Sequence, residues 1–229
     1  MLKIPYVGTD AYGLSLSLNK FHVKLIAKYY GIRIPKFVLI EKSSDIKITS
    51  SLQFPVIIKP NSEGSSMGVK RINNYKKLSP EIIAELVSLY GYPILCEEYI
   101  EGNEVSVPVI KTGDKAEALG AIEFRKSNGE LFNIYSTNDK YNSDCQTLIF
   151  NCSEKTKNQL LSNALILYKN LGCKDFGRID FKVRDGVPYF LEINPLPTLC
   201  KGGSFELCAK LKNISFSDLL IEIIESAIN

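Results

Sequence analysis

The sequence predicts an α+β chain in which short strands and tight turns alternate with a few amphipathic helices. Three observations carry that expectation. First, Phe176–Pro197, FGRIDFKVRDGVPYFLEINPLP, holds two runs that alternate apolar and polar residues around Arg184-Asp185-Gly186, a hairpin pattern. Second, a short apolar run ending in Lys59 leads into a loop of small polar residues and then a further strand. Third, apolar residues recur at helical spacing over 17–29 and 153–171.

At 229 residues the chain is long enough for one large domain or two small lobes, and for a core that needs no covalent staples. Its net charge is +3 and its basic residues are scattered, so nothing implies nucleic acid. Six cysteines form no CxxC pair and the only histidine is His22, which argues against zinc. Nothing requires disulfides, so the expected compartment is the cytoplasm. The start lacks a basic-then-apolar leader, and no apolar run approaches the roughly 20 residues of a membrane span.

Residues 1–15 read as a linker or as the remnant of a preceding domain. From Ser17, residues Leu18, Phe21, Leu25, Ile26 and Tyr29 follow helical spacing, closed by Gly31 and Pro35. Lys20, Lys24 and Lys28 lie four apart on another face and read, as a set, as a solvated stripe; His22 reads as packed or exposed rather than as a ligand. Strands are expected at Phe37–Ile40, Val56–Lys59 and Val69–Ile72, with Asn61–Gly68 between the last two. Free N–H groups of such a loop can wrap phosphate oxygens, and Lys59 would add a point charge. The same loop also reads as a plain turn, and it is not a Walker A loop. A helix over Pro80–Leu89 precedes strands at Ile94–Glu98 and Glu104–Ile110, and the acidic segment between these two reads either as a hairpin or as a linker between lobes that holds a purine. Ala116–Phe124 reads as one strand. Ser127–Gln146 reads as a long polar loop, a length usually tied to function. Ser153 caps a helix to Leu171 with Leu160, Leu161, Ala164, Leu165 and Tyr168 inward. After the hairpin, Thr198–Ser204 reads as a loop, and a last helix starts at Ser215.

Within the hairpin, Arg178, Asp180 and Lys182 share one strand face, and Phe190, Glu192 and Asn194 share another. A two-residue Asp-Gly turn would set Glu192 opposite Ile179, on the wrong side. A three-residue loop with Gly186 in the left-handed position brings Asp180 diagonal to Glu192. Two carboxylates and an amide oxygen beside an arginine suit Mg²⁺ on phosphates. The same pattern equally fits an amphipathic hairpin with a polar outer face.

Taken in order, Leu18-Asn-Lys20, Phe54-Pro-Val-Ile-Ile-Lys59-Pro, Glu63-Gly-Ser-Ser-Met-Gly68, Glu97-Glu-Tyr-Ile-Glu-Gly-Asn-Glu104, Lys140-Tyr141, Gly177-Arg-Ile-Asp180 and Leu191-Glu-Ile-Asn194 make the chain resemble the D-alanine–D-alanine ligases of the ATP-grasp superfamily. The resemblance runs over essentially the whole chain. It implies two α+β lobes gripping ATP, a small lobe at 16–101 and a catalytic lobe at 102–229. It implies an ATP-dependent carboxylate–amine ligase of cell-wall (peptidoglycan) synthesis that forms D-alanyl-D-alanine or a related dipeptide through an acyl phosphate. Its partners would be small amino acids and a second copy of the chain, with no nucleic acid or membrane.

By the same resemblance, Lys20 and Lys59 would meet ATP phosphates and Ser65 would border the first amino acid. Glu97, Glu98, Tyr99, Ile100 and Leu191 would line the adenine pocket, and Glu104 would hold the ribose. Lys140 would reach the γ-phosphate beside Tyr141. Asp180, Glu192 and Asn194 would bind two Mg²⁺ ions, or Mn²⁺. Arg178 would steady the oxyanion, and Ser204 would meet the second substrate's carboxylate. Two departures stand out. The family's N-terminal domain is not in this sequence, so the chain is expected to be part of a longer ligase, to hold its first substrate differently, or to be a non-catalytic nucleotide-binding module served by a partner. The family's oxyanion glycine is also replaced by Thr198, which keeps an N–H but not glycine's backbone freedom.

Overall fold

A computed structural model of the chain describes residues 4–132 and 145–228. Lys140 and Tyr141 lie outside the described residues. Two antiparallel sheets dominate. The first joins β1 (Phe37–Ile40), β2 (Val56–Pro60), β3 (Lys70–Ile72) and β4 (Ile94–Glu98) in the order β1-β4-β2-β3. Alternation along β2 sends Val56 and Ile58 into a core with Ile40, Ile94 and Cys96, and turns Ile57 and Lys59 to the opposite face. Helix α3 (Pro80–Tyr90) closes that core with Ile83 and Leu86; Pro80 opens it, and Gly91 at φ 74° ends it.

The second sheet has the order β10-β9-β5-β7-β8. Its strands are β5 (Asn103–Thr112), β6 (Lys115–Ala118), which pairs β5, β7 (Ile122–Lys126), β8 (Cys145–Ile149), β9 (Phe176–Arg184) and β10 (Val187–Asn194). The single strand expected over Ala116–Phe124 is therefore two, β6 and β7, broken at Leu119-Gly120-Ala121. One face of the sheet carries Val105, Val107, Ile179, Phe181 and Phe190 against Leu160, Ala164 and Leu167 of α4 (Glu154–Asn170), the helix that Ser153 caps. Part of the other face is covered by α5 (Ser204–Leu211) and α6 (Phe216–Ile228) through Phe205, Cys208, Leu219 and Ile223. The rest of that face is polar and looks toward the first sheet. Sequence reading missed α5, which it left as the end of a loop and unassigned residues.

The N-terminal region corrects two expectations. Residues 11–18 form helix α1 (Ala11–Leu18), partly within the span read as a linker or the remnant of a preceding domain, and the helix expected from Ser17 starts instead at Lys20, where Asn19 caps α2 (Lys20–Tyr29) by accepting from His22 N–H. The inward face of α2 is Val23 and Ala27 together with Lys20 and Lys24, whereas Leu18, Leu25 and Tyr29 are exposed. The lysines are thus not a solvated stripe, except at exposed Lys28. The physical reason is local charge compensation, since Glu97 of β4 meets Lys24. Val23, Ala27 and Ile32 join the core of the second sheet, although the small lobe was expected to start at residue 16.

Candidate active site

The hairpin turns by two residues, not three. Asp185 and Gly186 both take positive φ (52° and 74°), and Val187 pairs with Arg184. By simple alternation this turn would put Glu192 on the wrong side. A β-bulge at Leu191 corrects the parity: Phe190 pairs with Phe181, and Glu192 then pairs directly with Asp180. Phe190 consequently faces the core with Ile193, not the polar side with Glu192 and Asn194.

Cross-strand register now builds the site in rows. Ser106 on β5 pairs with Asp180 on β9, which pairs with Glu192 on β10. On one side of this row Glu104 pairs with Lys182; on the other, Pro108, Arg178 and Asn194 align. Asp180 is the hub: it accepts from Ser106 Oγ at 2.6 Å, Arg178 Nε at 2.9 Å, Arg178 Nη2 at 2.9 Å and Asn194 Nδ2 at 2.8 Å. Glu104 Oε2 lies 2.8 Å from Lys182 Nζ, and burial pushes the Glu104 carboxyl above the usual carboxylate range, partly offset by that lysine.

The facing wall comes from the first sheet and α2. Asn61, at the end of β2, anchors the helix start: its Oδ1 accepts from Phe21 N–H at 2.8 Å, and its amide donates to Asn19 Oδ1 at 3.0 Å. That connection delivers Lys20 to the Glu63 carbonyl and to within 4.0 Å of Glu192. Behind it sits a buried triad. Glu97 Oε1 accepts from Lys59, and Glu97 Oε2 lies 2.7 Å from Lys24 Nζ. Burial alone would raise the Glu97 pKa; the two ammonium groups outweigh it and hold the carboxyl down to about 2. Burial lowers the Lys24 pKa to about 8, with Glu97 opposing.

Between the walls lies a cleft lined by Lys20, Lys59, Glu97, Glu98, Tyr99, Ile100, Glu104, Arg178, Asp180, Leu191 and Glu192 among others. Eleven of the residues named in advance therefore converge there. Asn194 reaches the cleft through Asp180. Ser65 does not line it, although its neighbours Ser66 and Met67 do. Ser65 and Ser66 both take left-handed φ (53° and 61°), so the loop over 61–68 is a tightly wound turn rather than a simple extended flap. Exposed Thr198 and buried Ser204 are also not among the lining residues. Sequence reading missed Lys24, Ser106 and Lys182 as parts of the site. Spacing could have found two of them, since Lys24 is one helical turn from Lys20 and Lys182 is two strand residues from Asp180.

No three His, Cys, Asp or Glu side chains converge on a metal position among the described residues. The adjacent Asp180 and Glu192 carboxylates and the Asn194 amide oxygen, which its own donation to Asp180 leaves available, nonetheless fit a hard cation that takes few protein ligands and completes its shell with phosphate and water oxygens.

Two antiparallel α+β lobes facing each other across a cleft of lysines and carboxylates define an ATP-grasp protein. A family model described as "D-ala D-ala ligase C-terminus" matches residues 24–225. D-alanine–D-alanine ligase A of Bacillus cereus is 31% identical over 231 residues, 99% of this chain and 73% of that relative. The D-alanine–D-alanine ligase of Aquifex aeolicus is 31% identical over 98% of this chain and 74% of its own length. The chain belongs to the D-alanine–D-alanine ligase family. Among solved structures, the Bacillus anthracis D-alanine–D-alanine ligase complexed with ATP superposes with a TM-score of 0.78 at 28% identity, covering 99% of this chain and 72% of that one. The VanG D-Ala:D-Ser ligase of Enterococcus faecalis gives 0.82 at 25% identity, covering 98% and 65%. No described helix is long and apolar enough to cross a membrane.

Proposed function

We propose that the chain is an ATP-dependent carboxylate–amine ligase that joins D-alanine, or a closely related amino acid, to a second amino acid through an acyl phosphate. The observation that carries the reading is the single cleft in which Lys20 and Lys59 face Asp180 and Glu192, with residues 97–100 along its edge. Membership of the ligase family supports it.

ATP is a substrate on this reading. The carboxylate of the first amino acid attacks the γ-phosphorus and ADP leaves; the amine of the second then displaces phosphate and an amide forms. Lys20 and Lys59 present point charges to the phosphates. Tyr99, Ile100 and Leu191, with Glu98, enclose the base, the Glu97 side chain being held instead between Lys24 and Lys59, and Glu104 accepts from a ribose hydroxyl. Asp180, Glu192 and Asn194 would hold Mg²⁺ or Mn²⁺, which when bound supplies charge neutralisation on the phosphate oxygens. Arg178 donates to the oxyanion of the tetrahedral intermediate, a role in which one donor is typically worth about 3–4 kcal/mol. Ser65, Thr198 and Ser204, which do not line the cleft, would meet the amino acids only from its margins, and Lys140, with Tyr141 beside it, would reach the γ-phosphate. The proposed lobe boundary lies after Glu101, with α2 packing on the second sheet, the substrates would be cytoplasmic amino acids, and a homodimer would be the assembly.

The test is release of ADP and phosphate from Mg·ATP in the presence of D-alanine, with D-serine alongside. Turnover that needs both metal and amino acid is expected, and Glu192→Gln should abolish it. No phosphate release with any amino acid tried, in the intact protein, overturns the proposal.

A further inference from the structure

We infer that Lys24 is a positioning residue for nucleotide binding: its ammonium cancels the charge of Glu97 and so leaves the charge of Lys59 to face phosphate oxygens. The inference rests on the nucleotide reading of the cleft.

Lys24 is fully buried and does not line the cleft, whereas Lys59 and Glu97 do. Its Nζ sits 2.7 Å from Glu97 Oε2, while Lys59 takes Oε1. One carboxylate between two ammonium groups leaves one net positive charge at the cleft wall. Without Lys24, Glu97 and Lys59 would form a neutral pair and the wall would lose that charge. Folding alone gives little reason to keep the arrangement, because well-packed apolar residues in place of a buried ion pair are often neutral or stabilising. The effect on the cleft supplies a reason. The charged groups that face Lys24 are Glu97 from β4, Lys59 from β2 and Glu192 from β10. With a pKa lowered to about 8, Lys24 loses its charge as the solution turns mildly alkaline, and nucleotide affinity should fall with it.

Calorimetric titration of wild type, K24M and K24M/E97Q with Mg·ADP, beside thermal melts that report folding, tests this. K24M should bind about tenfold more weakly at pH 7, the order expected of one charge acting over about 10 Å at an effective dielectric near 20. K24M/E97Q should return to within about threefold of wild type, because an uncharged amide in place of the Glu97 carboxylate no longer cancels Lys59. A merely structural role would not predict that second removal restores affinity. K24M binding as tightly as wild type overturns the assignment, as does a double variant no tighter than K24M. If K24M alone fails to fold, the double variant decides: about threefold or closer to wild type supports the role, and weaker binding overturns it. A wild type that binds no Mg·ADP overturns the nucleotide reading itself, an outcome separable from all of these.

Discussion

Replacing Glu97 by Gln tests the electrostatics of the cleft wall most directly. The change keeps shape and removes one charge. Glu97 is 3% exposed, and its oxygens meet Lys59, 7% exposed, and Lys24, fully buried. The variant leaves two enclosed ammonium groups without a counter-charge. Stranding a buried charge typically costs about 3–5 kcal/mol. The lowering of the Glu97 carboxyl from its ordinary 4.5 to about 2 corresponds to about 3 kcal/mol of linked stability, which agrees. A chain of this size loses about 2–4 °C of Tm per kcal/mol, so Glu97→Gln should melt roughly 6–20 °C below wild type at pH 7. The pH dependence has a definite sign. A depressed carboxyl stabilises fully above its unfolded pKa and loses that contribution as pH falls toward the folded value, so the gap should narrow from about pH 4.5 down to 2. Lys24 is a depressed lysine: its burial penalty is present below about pH 8 and relieved toward 10.5, so stability should be regained as the pH rises above about 8. Differential scanning calorimetry over pH 2.5–9 measures both trends. A variant melting within 2 °C of wild type at pH 7 would show that the triad is not the buried charge cluster described.

Two further substitutions probe how the site is held. A Cβ on Gly102, where φ is +145°, would lie 2.1 Å from the Val183 carbonyl oxygen, so Gly102→Ala must displace the linker between the sheets from β9; urea denaturation should show a loss of at least about 2 kcal/mol. Ser106→Ala removes a 2.6 Å donor from Asp180 but leaves Arg178 and Asn194 in place; it should cost about 1–2 kcal/mol in the same assay and raise the Mg²⁺ concentration needed for half-maximal turnover, with Ser106→Thr close to wild type in both.

Much of the fold was legible because local signals and tertiary demands agree. The strand at Ile94–Glu98 follows from a short apolar run and the helix after Ser153 from capping and periodicity, and the structure uses both. Helix α2 was misread because periodicity reports which residues share a face, not which face is buried. Its expected stripe is split, with Leu25 and Tyr29 exposed and Ile26 packed on the core, and Lys20 and Lys24 look inward, because Glu97, some seventy residues downstream, supplies a counter-charge to Lys24. No local pattern encodes that pairing. Residues 11–18 were missed as a helix for a simpler reason, since Leu14-Ser-Leu-Ser-Leu18 alternates with the period of a strand rather than a helix; the Asp10 carboxylate, accepting from Gly13 N–H, marks their start.

The hairpin shows how two residues can come together as expected by a different geometry. Asp180 and Glu192 had to share a face, and with a strictly alternating β10 only a three-residue loop satisfies that. The chain instead keeps the two-residue turn that Asp185-Gly186 favours and inserts one residue, Leu191, into β10. The bulge has a consequence that a longer loop would lack. The turn sets Tyr189 opposite Lys182, and the bulge then sets Glu192 opposite Asp180 on the same side of the sheet, while Phe190 and Ile193 both reach the core. Leu191 and Glu192 can then both line the cleft as sequence neighbours, which strict alternation forbids. An apolar side chain and a carboxylate thus reach the same cleft from two consecutive residues. Register at the bulge, rather than loop length, ties the two halves of the site together.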